Sequence, residues 1–279
     1  MTSSALPAAP LGELADWLYR AENERQPIEP LSDSYPQLDL ADAYRIQQIN
    51  VQRRLEAGER ILGHKIGLTA RAMQEKFGVN EPDYGHLFEN MFLEPGAALD
   101  LGELIDPQIE VEPAFVLGSD LAGPGVTIEQ VMDATDYICA CFEVIDSRIV
   151  NWRIKLPDTV ADNGSSARVL MGAKRSAPGE FPLDLLETVL EIDGRTVETG
   201  NTGAILGHPA RGIAWLANYL ARHGTGLQAG QVVLPGTCTR SRRIGGHREV
   251  RGRIEGLGEV TLSLSGKPRV KNTESIQEI

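Results

Sequence analysis

Three glutamates set into apolar, strand-like runs constrain this chain more than any other feature. The first run is Ile109-Glu110-Val111-Glu112-Pro113-Ala114-Phe115-Val116-Leu117; the second is Tyr137-Ile138-Cys139-Ala140-Cys141-Phe142-Glu143-Val144-Ile145-Asp146. Side chains of a strand alternate between two faces. Glu110 and Glu112 therefore share one face, and Glu143 shares a face with Cys139 and Cys141. A carboxylate flanked by Ile, Val and Phe is costly to bury unless it is paired or bound to a cation. If the two runs are neighbours in a sheet, three carboxylates meet at one place and cannot all stay ionised without a positive partner. A hard divalent cation, Mg²⁺ or Mn²⁺, suits such an all-oxygen donor set. The plainer reading of Glu-x-Glu is the solvent face of a half-buried sheet. Against it, the run around Glu143 is apolar on both faces and reads as a buried strand. On the residues alone both readings stay open.

The chain's 279 residues allow one large domain, or a small one beside a larger one. A hydrophobic fraction of 42% is ample for a core, and a formal charge of −12 argues against nucleic acid and anionic membrane surfaces as partners. An acidic protein that handles an anionic substrate needs lysine, arginine or a metal at its site. No apolar run reaches the length of a membrane span, and Met1–Pro10 has neither a basic n-region nor an apolar h-region. The expectation is a cytoplasmic protein. Cys139, Cys141 and Cys238 fit neither a disulfide framework nor a zinc ribbon and read as reduced core thiols.

Apolar spacing predicts helices over 11–25, 40–57, 69–77, 127–135 and 209–223. Strands are predicted over 61–67, 109–118, 137–146, 168–172, 187–193, 231–235 and 250–264. Pro27, Pro30 and Pro36 break the chain between the first two helices, and Asp193-Gly194 is a hairpin signal. The expected organisation is a helical N-terminal segment over 1–60, an α+β domain over 61–266, and a polar, disordered tail over 267–279.

Four further stretches carry candidate chemistry. Lys65, in Gly63-His64-Lys65-Ile66-Gly67-Leu68-Thr69, is enclosed by apolar neighbours. It either snorkels at the surface, pairs with a carboxylate, or has a depressed pKa and exchanges protons. His64 beside it reads on its own as a packing histidine. The loop Asp158–Ser166 is either an Asx-type turn or a set of hydrogen-bond donors with one carboxylate facing the metal. His208, before Pro209, is a helix cap or a substrate contact. Pro235-Gly236-Thr237-Cys238-Thr239-Arg240 opens from a strand end into a loop that suits an anion.

Gly63-His64-Lys65-Ile66-Gly67-Leu68-Thr69, Glu81-Pro82-Asp83-Tyr84-Gly85, Ile109-Glu110-Val111-Glu112, Glu143-Val144-Ile145-Asp146-Ser147-Arg148, Val160-Ala161-Asp162-Asn163-Gly164-Ser165-Ser166 and Leu206-Gly207-His208-Pro209 occur in an order that resembles the 2-keto-4-pentenoate hydratases of the fumarylacetoacetate hydrolase superfamily. The resemblance covers roughly 11–265, and six ordered motifs are far more specific than any one. The group also contains 2-oxohept-4-ene-1,7-dioate hydratase and 4-oxalocrotonate decarboxylase. It implies a mixed β-roll, a divalent metal (Mg²⁺ or Mn²⁺) held by Glu110, Glu112 and Glu143, and catalytic roles for Lys65, Asp162 and Ser165. His64, Thr237, His208 and Arg240 are the substrate contacts expected with them. The implied reaction is hydration of a 2-hydroxy-2,4-dienoate in meta-cleavage catabolism of aromatic compounds. Decarboxylation of a 2-oxo-3-enedioate and C–C hydrolysis of an acylpyruvate are the alternatives. The family also implies a homo-oligomer, and a complex with a downstream aldolase or sister decarboxylase is a further expectation. Two departures stand out. Gly164 replaces the alanine usual in the family, which reads as harmless. The basic stretch Thr239–Arg248 is expected to meet a second substrate carboxylate, meet an oligomer partner, or be a solvated loop.

Overall fold

The structure, a computed structural model, describes residues 8–70, 74–75, 78–79 and 81–269. Most of the helix expected over 69–77, and the tail beyond 269, lie outside these residues. Three helices come first: α1 (Ala8–Glu24), α2 (Leu31–Ser34) and α3 (Leu40–Glu56). Asp39 caps α3 by accepting from the Asp42 amide at 2.8 Å. Leu11, Leu14 and Leu18 of α1 pack with Ala43 and Ile46 of α3, and against Ile149 and Val160. Gln47 of α3 donates to the carbonyls of Tyr84 at 3.0 Å and Val160 at 2.9 Å. The helical segment is thus stitched onto the strands and loops that follow.

Two curled sheets make up the rest. The larger runs β2 (Asp83–Phe88), β1 (Ile61–Gly67), β9 (Val232–Leu234), β4 (Gln108–Leu117), β5 (Thr135–Ile145) and β6 (Ser166–Met171), with β10 (Arg242–Arg243) paired to β4. The smaller runs β3 (Ala98–Asp100), β12 (Gly258–Ser265), β11 (Glu249–Ile254), β7 (Glu187–Ile192) and β8 (Arg195–Asn201). Helices α4 (Ile128–Ala134), α5 (Leu156–Ala161) and α6 (Pro209–Ala221) complete the α+β architecture. Among the described residues no helix is long and apolar enough to cross a membrane.

Several expectations change. The run 250–264 is two strands, because Gly256 and Gly258 adopt φ of +75° and +102° and turn the chain between β11 and β12. Asp193-Gly194 makes its hairpin, and β8 follows where no strand was expected. The strand β2 was also unexpected. It pairs antiparallel to β1 and puts Asp83 opposite Gly67 and His86 opposite His64.

The pairing of β4 with β5 positions the site. The strands are antiparallel and adjacent, with Glu110 opposite Glu143 and Glu112 opposite Cys141. One face of this pair packs on the second sheet: a Cβ added to Gly252 of β11 would lie 2.7 Å from Phe142 Cε1 and 3.0 Å from Val111 Cγ2. The other face carries the glutamates. Close approach of β1 to β9 depends on Gly63, where a Cβ would lie 1.9 Å from the Val232 carbonyl oxygen. Gly63→Ala should therefore destabilise the fold by about 1–3 kcal/mol, the usual cost of overpacking, read as a lowered urea midpoint with unchanged m-value.

Candidate metal centre and active site

Glu110, Glu112 and Glu143 each offer a carboxylate oxygen within 4.8 Å of the others. Glu112 and Glu143 are fully buried, and Glu110 keeps partial exposure at the edge. Burial, and after it the charge of Glu143, pushes Glu112 well above the ordinary carboxylate range. Glu110 is pushed up to about 7, by burial first and then by Glu143, against the pull of Lys65. The second Glu112 restraint is a backbone one: the Gly236 amide donates to Glu112 Oε2 at 2.8 Å.

Among the described residues, Lys65 is the cation that touches the cluster. Its Nζ lies 3.1 Å from both oxygens of Glu143 and 3.2 Å from the Gly164 carbonyl. Burial alone would lower this ammonium's pKa, but Glu143, Glu110, Glu112 and Asp83 together hold it above its ordinary value. Lys65 is thus the paired, protonated lysine of the alternatives the sequence left open. Among the described residues, one ammonium against three glutamates leaves excess negative charge in an all-oxygen pocket. That donor set fits a hard divalent cation.

Asp83 is a site residue the sequence reasoning passed over as a mere motif letter. It shares with Lys65 the face of the β1–β2 pair turned toward the glutamates, is buried, and has an Oδ1 with no hydrogen-bond partner among the described residues. Burial raises its pKa against the attraction of Lys65. A Cβ at Gly67 would lie 2.1 Å from that Oδ1, so glycine is what admits the carboxylate.

The loop after α5 differs from expectation. Asp162 is buried, but its carboxylate faces Arg148, not the glutamates. Arg148 Nε donates to Asp162 Oδ1 at 2.5 Å, and the Arg148 amide and Ser165 Oγ donate to Oδ2 at 3.1 Å each. Burial pushes Asp162 up to about 6 against the opposing pull of Arg148. The loop's contribution to the cluster comes from two other groups: the Gly164 carbonyl, which accepts from Lys65, and Ser166 Oγ, which donates to Glu143 Oε1 at 3.1 Å.

The remaining expected residues make no hydrogen bond to the three glutamates among the described residues. His64 points from the face of β1 opposite to Lys65, its ring centroid 5.1 Å from that of His86, and burial keeps it neutral, with a pKa near 3. His208 caps α6, its Nδ1 accepting from the Ala210 amide at 3.2 Å. Thr237 follows Gly236, and its Oγ1 donates to the Thr239 carbonyl at 3.0 Å. Arg240 is exposed. The basic stretch is largely paired within the chain. Arg242 binds Glu198 at 2.5 Å, Arg243 binds Asp106 at 3.2 Å, and His247 binds Asp193 at 2.9 Å. The cysteines are free and buried, and burial raises the pKa of each thiol.

Fold and site together define a class, an α+β protein of curled sheets whose glutamate trio is met, among the described residues, by Lys65. The family described as "Fumarylacetoacetate (FAA) hydrolase C-terminal" matches residues 65–265, and the chain belongs to that family. It is 42% identical over 224 residues to the 2-keto-4-pentenoate hydratase of Paraburkholderia xenovorans (strain LB400), covering 80% of this chain and 83% of that one. It is 40% identical over 233 residues to the 2-oxo-hept-4-ene-1,7-dioate hydratase of Escherichia coli, covering 81% and 87%. A solved structure of 4-oxalocrotonate decarboxylase from Pseudomonas putida G7, complexed with magnesium and adipate, superposes with a TM-score of 0.89 at 34% identity, covering 94% of this chain and 99% of that one.

Gly164 is not a neutral replacement in this chain. Its φ is +62°, and a Cβ would meet Lys65 Cδ at 2.8 Å. Gly164→Ala should lower stability by about 1–2 kcal/mol, the cost of a left-handed residue with a side chain, and more where Lys65 must move. Thermal unfolding in the presence of a chelator reads this without interference from metal.

Proposed function

We infer that the chain is a hydro-lyase that adds water to a 2-hydroxy-2,4-dienoate, giving a 4-hydroxy-2-oxo acid in meta-cleavage catabolism of aromatic compounds. Support comes from hydratases at 40–42% identity over four-fifths of the chain. The observation that carries the reading is the position of Lys65 Nζ, 3.1 Å from both oxygens of Glu143 inside the glutamate trio. Glu110, Glu112 and Glu143 would hold the divalent ion, Mg²⁺ or Mn²⁺. When bound, that ion supplies Lewis-acid stabilisation of negative charge on the substrate's C2 oxygen.

The chain's own groups handle protons and position. The enol proton leaves the C2 hydroxyl and a proton arrives at C5, giving a conjugated 2-oxo-3-enoate that is electrophilic at C4. Water oxygen then bonds to C4 and a proton to C3. Lys65 Nζ and Asp83 Oδ1 lie on the same strand face and are the groups we assign to these transfers. Asp162 and Ser165 act by holding the loop that carries the Gly164 carbonyl. Thr237 and Arg240, on the loop beside Glu112, are assigned to the anionic end of the substrate. His64 and His208 keep packing and capping roles. The working form is a cytoplasmic homo-oligomer, with association to a downstream aldolase or sister decarboxylase as an extension.

A second reading has a specific observation behind it. The superposing decarboxylase structure holds adipate, a dicarboxylate, and decarboxylation of a 2-oxo-3-enedioate would use the same charge stabilisation. Acylpyruvate hydrolysis has less support, since His64 stands on the face of β1 away from the glutamates.

The purified chain with Mg²⁺ or Mn²⁺ is expected to consume 2-hydroxypenta-2,4-dienoate with a mass gain of one water, and chelator should abolish this. Loss of CO₂ from 2-oxohex-3-enedioate without hydration of the dienoate would transfer the assignment to the decarboxylase. Lys65→Ala and Asp83→Asn should each lower kcat by on the order of 10²–10⁴-fold, the range for removing a general acid or base, while Mn²⁺ affinity is retained. Turnover at the wild-type rate in either variant would remove that residue from the mechanism. Binding of the ion should also stabilise the fold, by about 2.7 kcal/mol at a hundredfold excess over Kd. Glu112→Gln should lose that metal-dependent rise in Tm.

A further inference from the structure

A cavity of about 250 Å³ opens between the C-terminal ends of α1 and α3 and the start of β6, lined by Glu22, Arg54, Glu59, Asp146, Arg148 and Arg168 among others. None of the three glutamates of the cluster lines it. A smaller space beside it is lined by Glu22, Arg54, Arg148, Asp162 and Asn163. Arg148 therefore borders the cavity on one side and the loop next to Lys65 on the other.

The donors of Arg148 form a bracket around that loop. Its guanidinium donates to the carbonyl of Asp162, and its Nη1 donates to the carbonyl of Ser166 at 3.1 Å and to that of Asp146 at 2.8 Å. Between the two bracketed loop carbonyls lie Asn163, Gly164 and Ser165, with φ of +55°, +62° and +56°. Left-handed conformations at Asn163 and Ser165 are costly and persist only when the surroundings over-determine them. Asn163 supplies the other anchor, exchanging hydrogen bonds of 2.8 and 2.9 Å with the backbone of His86. The residues so held present the Gly164 carbonyl to Lys65, and Ser166 presents its hydroxyl to Glu143.

We propose that Arg148 is a positioning residue, setting the place of Lys65 by clamping both ends of the three-residue left-handed loop, and that the 250 Å³ cavity gives small cations access to its guanidinium position. The proposal rests on the role assigned above to Lys65. Arg148 itself touches no reacting atom. A lysine at 148 keeps the charge but offers one nitrogen where the bracket uses the spread of a planar guanidinium.

The test uses Arg148→Lys and Arg148→Ala in the full chain. Both should lose about 100-fold in kcat, the scale of a misplacement of about 1 Å in an active site, with KM and Mn²⁺ affinity within a few-fold of wild type. In both, amide hydrogen exchange over 163–167 should accelerate, measured without substrate. Guanidinium chloride well below denaturing concentration should restore at least tenfold of the lost kcat in Arg148→Ala, saturably, and restore slow exchange in the loop; tetramethylammonium should do neither. Wild-type kcat in Arg148→Lys, unchanged exchange over 163–167, or guanidinium that raises Tm without restoring turnover would each overturn the bracket. If Arg148→Ala does not fold, the kcat and exchange of Arg148→Lys decide. Should wild type fail to hydrate any dienoate, the proposed reaction falls, and loop exchange still decides on Arg148.

Discussion

Charge crowding at the β4–β5 pair is the constraint on which the rest of the site depends. Three carboxylates whose nearest oxygens lie within 4.8 Å of one another repel by roughly 3 kcal/mol per pair at an effective dielectric near 20. Summed over three pairs, that is comparable with the whole net stability of an ordinary domain. Lys65 offsets part of it; burial first, and this repulsion after it, raises the carboxyl pKa values of Glu110 and Glu112. The arrangement makes sense if a divalent cation completes the neutralisation, since protonated glutamates would lose the charge that makes them good ligands. A site so far from electrostatic balance on its own is built to receive something positive.

The fold makes that crowding geometrically possible. Lys65 is on β1 and Glu143 on β5, separated in the sheet by β9 and β4. In a flat sheet at about 4.8 Å per strand their side chains could not meet. Curling of the sheet, helped by the bare backbone at Gly63 where β1 meets β9, brings Nζ to 3.1 Å from the carboxylate. The opposite face of β4–β5 is closed by β11 at Gly252, so apolar core and charged site occupy the two sides of one strand pair.

The glutamate trio was legible from the chain because it rests on local periodicity: alternation fixes which face Glu110, Glu112 and Glu143 occupy once their strands are adjacent. Long, regular elements such as α3 and α6 were legible for the same reason, through apolar spacing, with His208 already a candidate cap for α6. Asp83 and β2 were not, since Glu81-Pro82-Asp83-Tyr84-Gly85 has the composition of a turn and becomes a strand only by pairing with β1. Nor was the orientation of Asp162, whose acceptor capacity is taken by Arg148 14 positions earlier. On the sequence alone the basic stretch stays open between a substrate contact, an oligomer contact and a solvated loop, because Glu198, Asp106 and Asp193 come to it from remote segments. Composition counts charges, and only tertiary structure says which are already paired.

That pairing bears on how relatives with one core serve different substrates. The hydratases this chain resembles are named for a five-carbon monoacid and for a dioate, so the shared reaction does not fix chain length. Discrimination has to come from groups beyond the glutamates that meet the far end of the substrate, where an extra carboxylate demands a cation with donors to spare. Arg242 and Arg243 already bind carboxylates of their own chain, and turning either toward a ligand would break its pair with Glu198 or Asp106. Arg240 is exposed, and it follows the loop whose Gly236 amide touches Glu112. Within the basic stretch, Arg242 and Arg243 are thus committed to Glu198 and Asp106, and Arg240 and Arg248 are the exposed arginines.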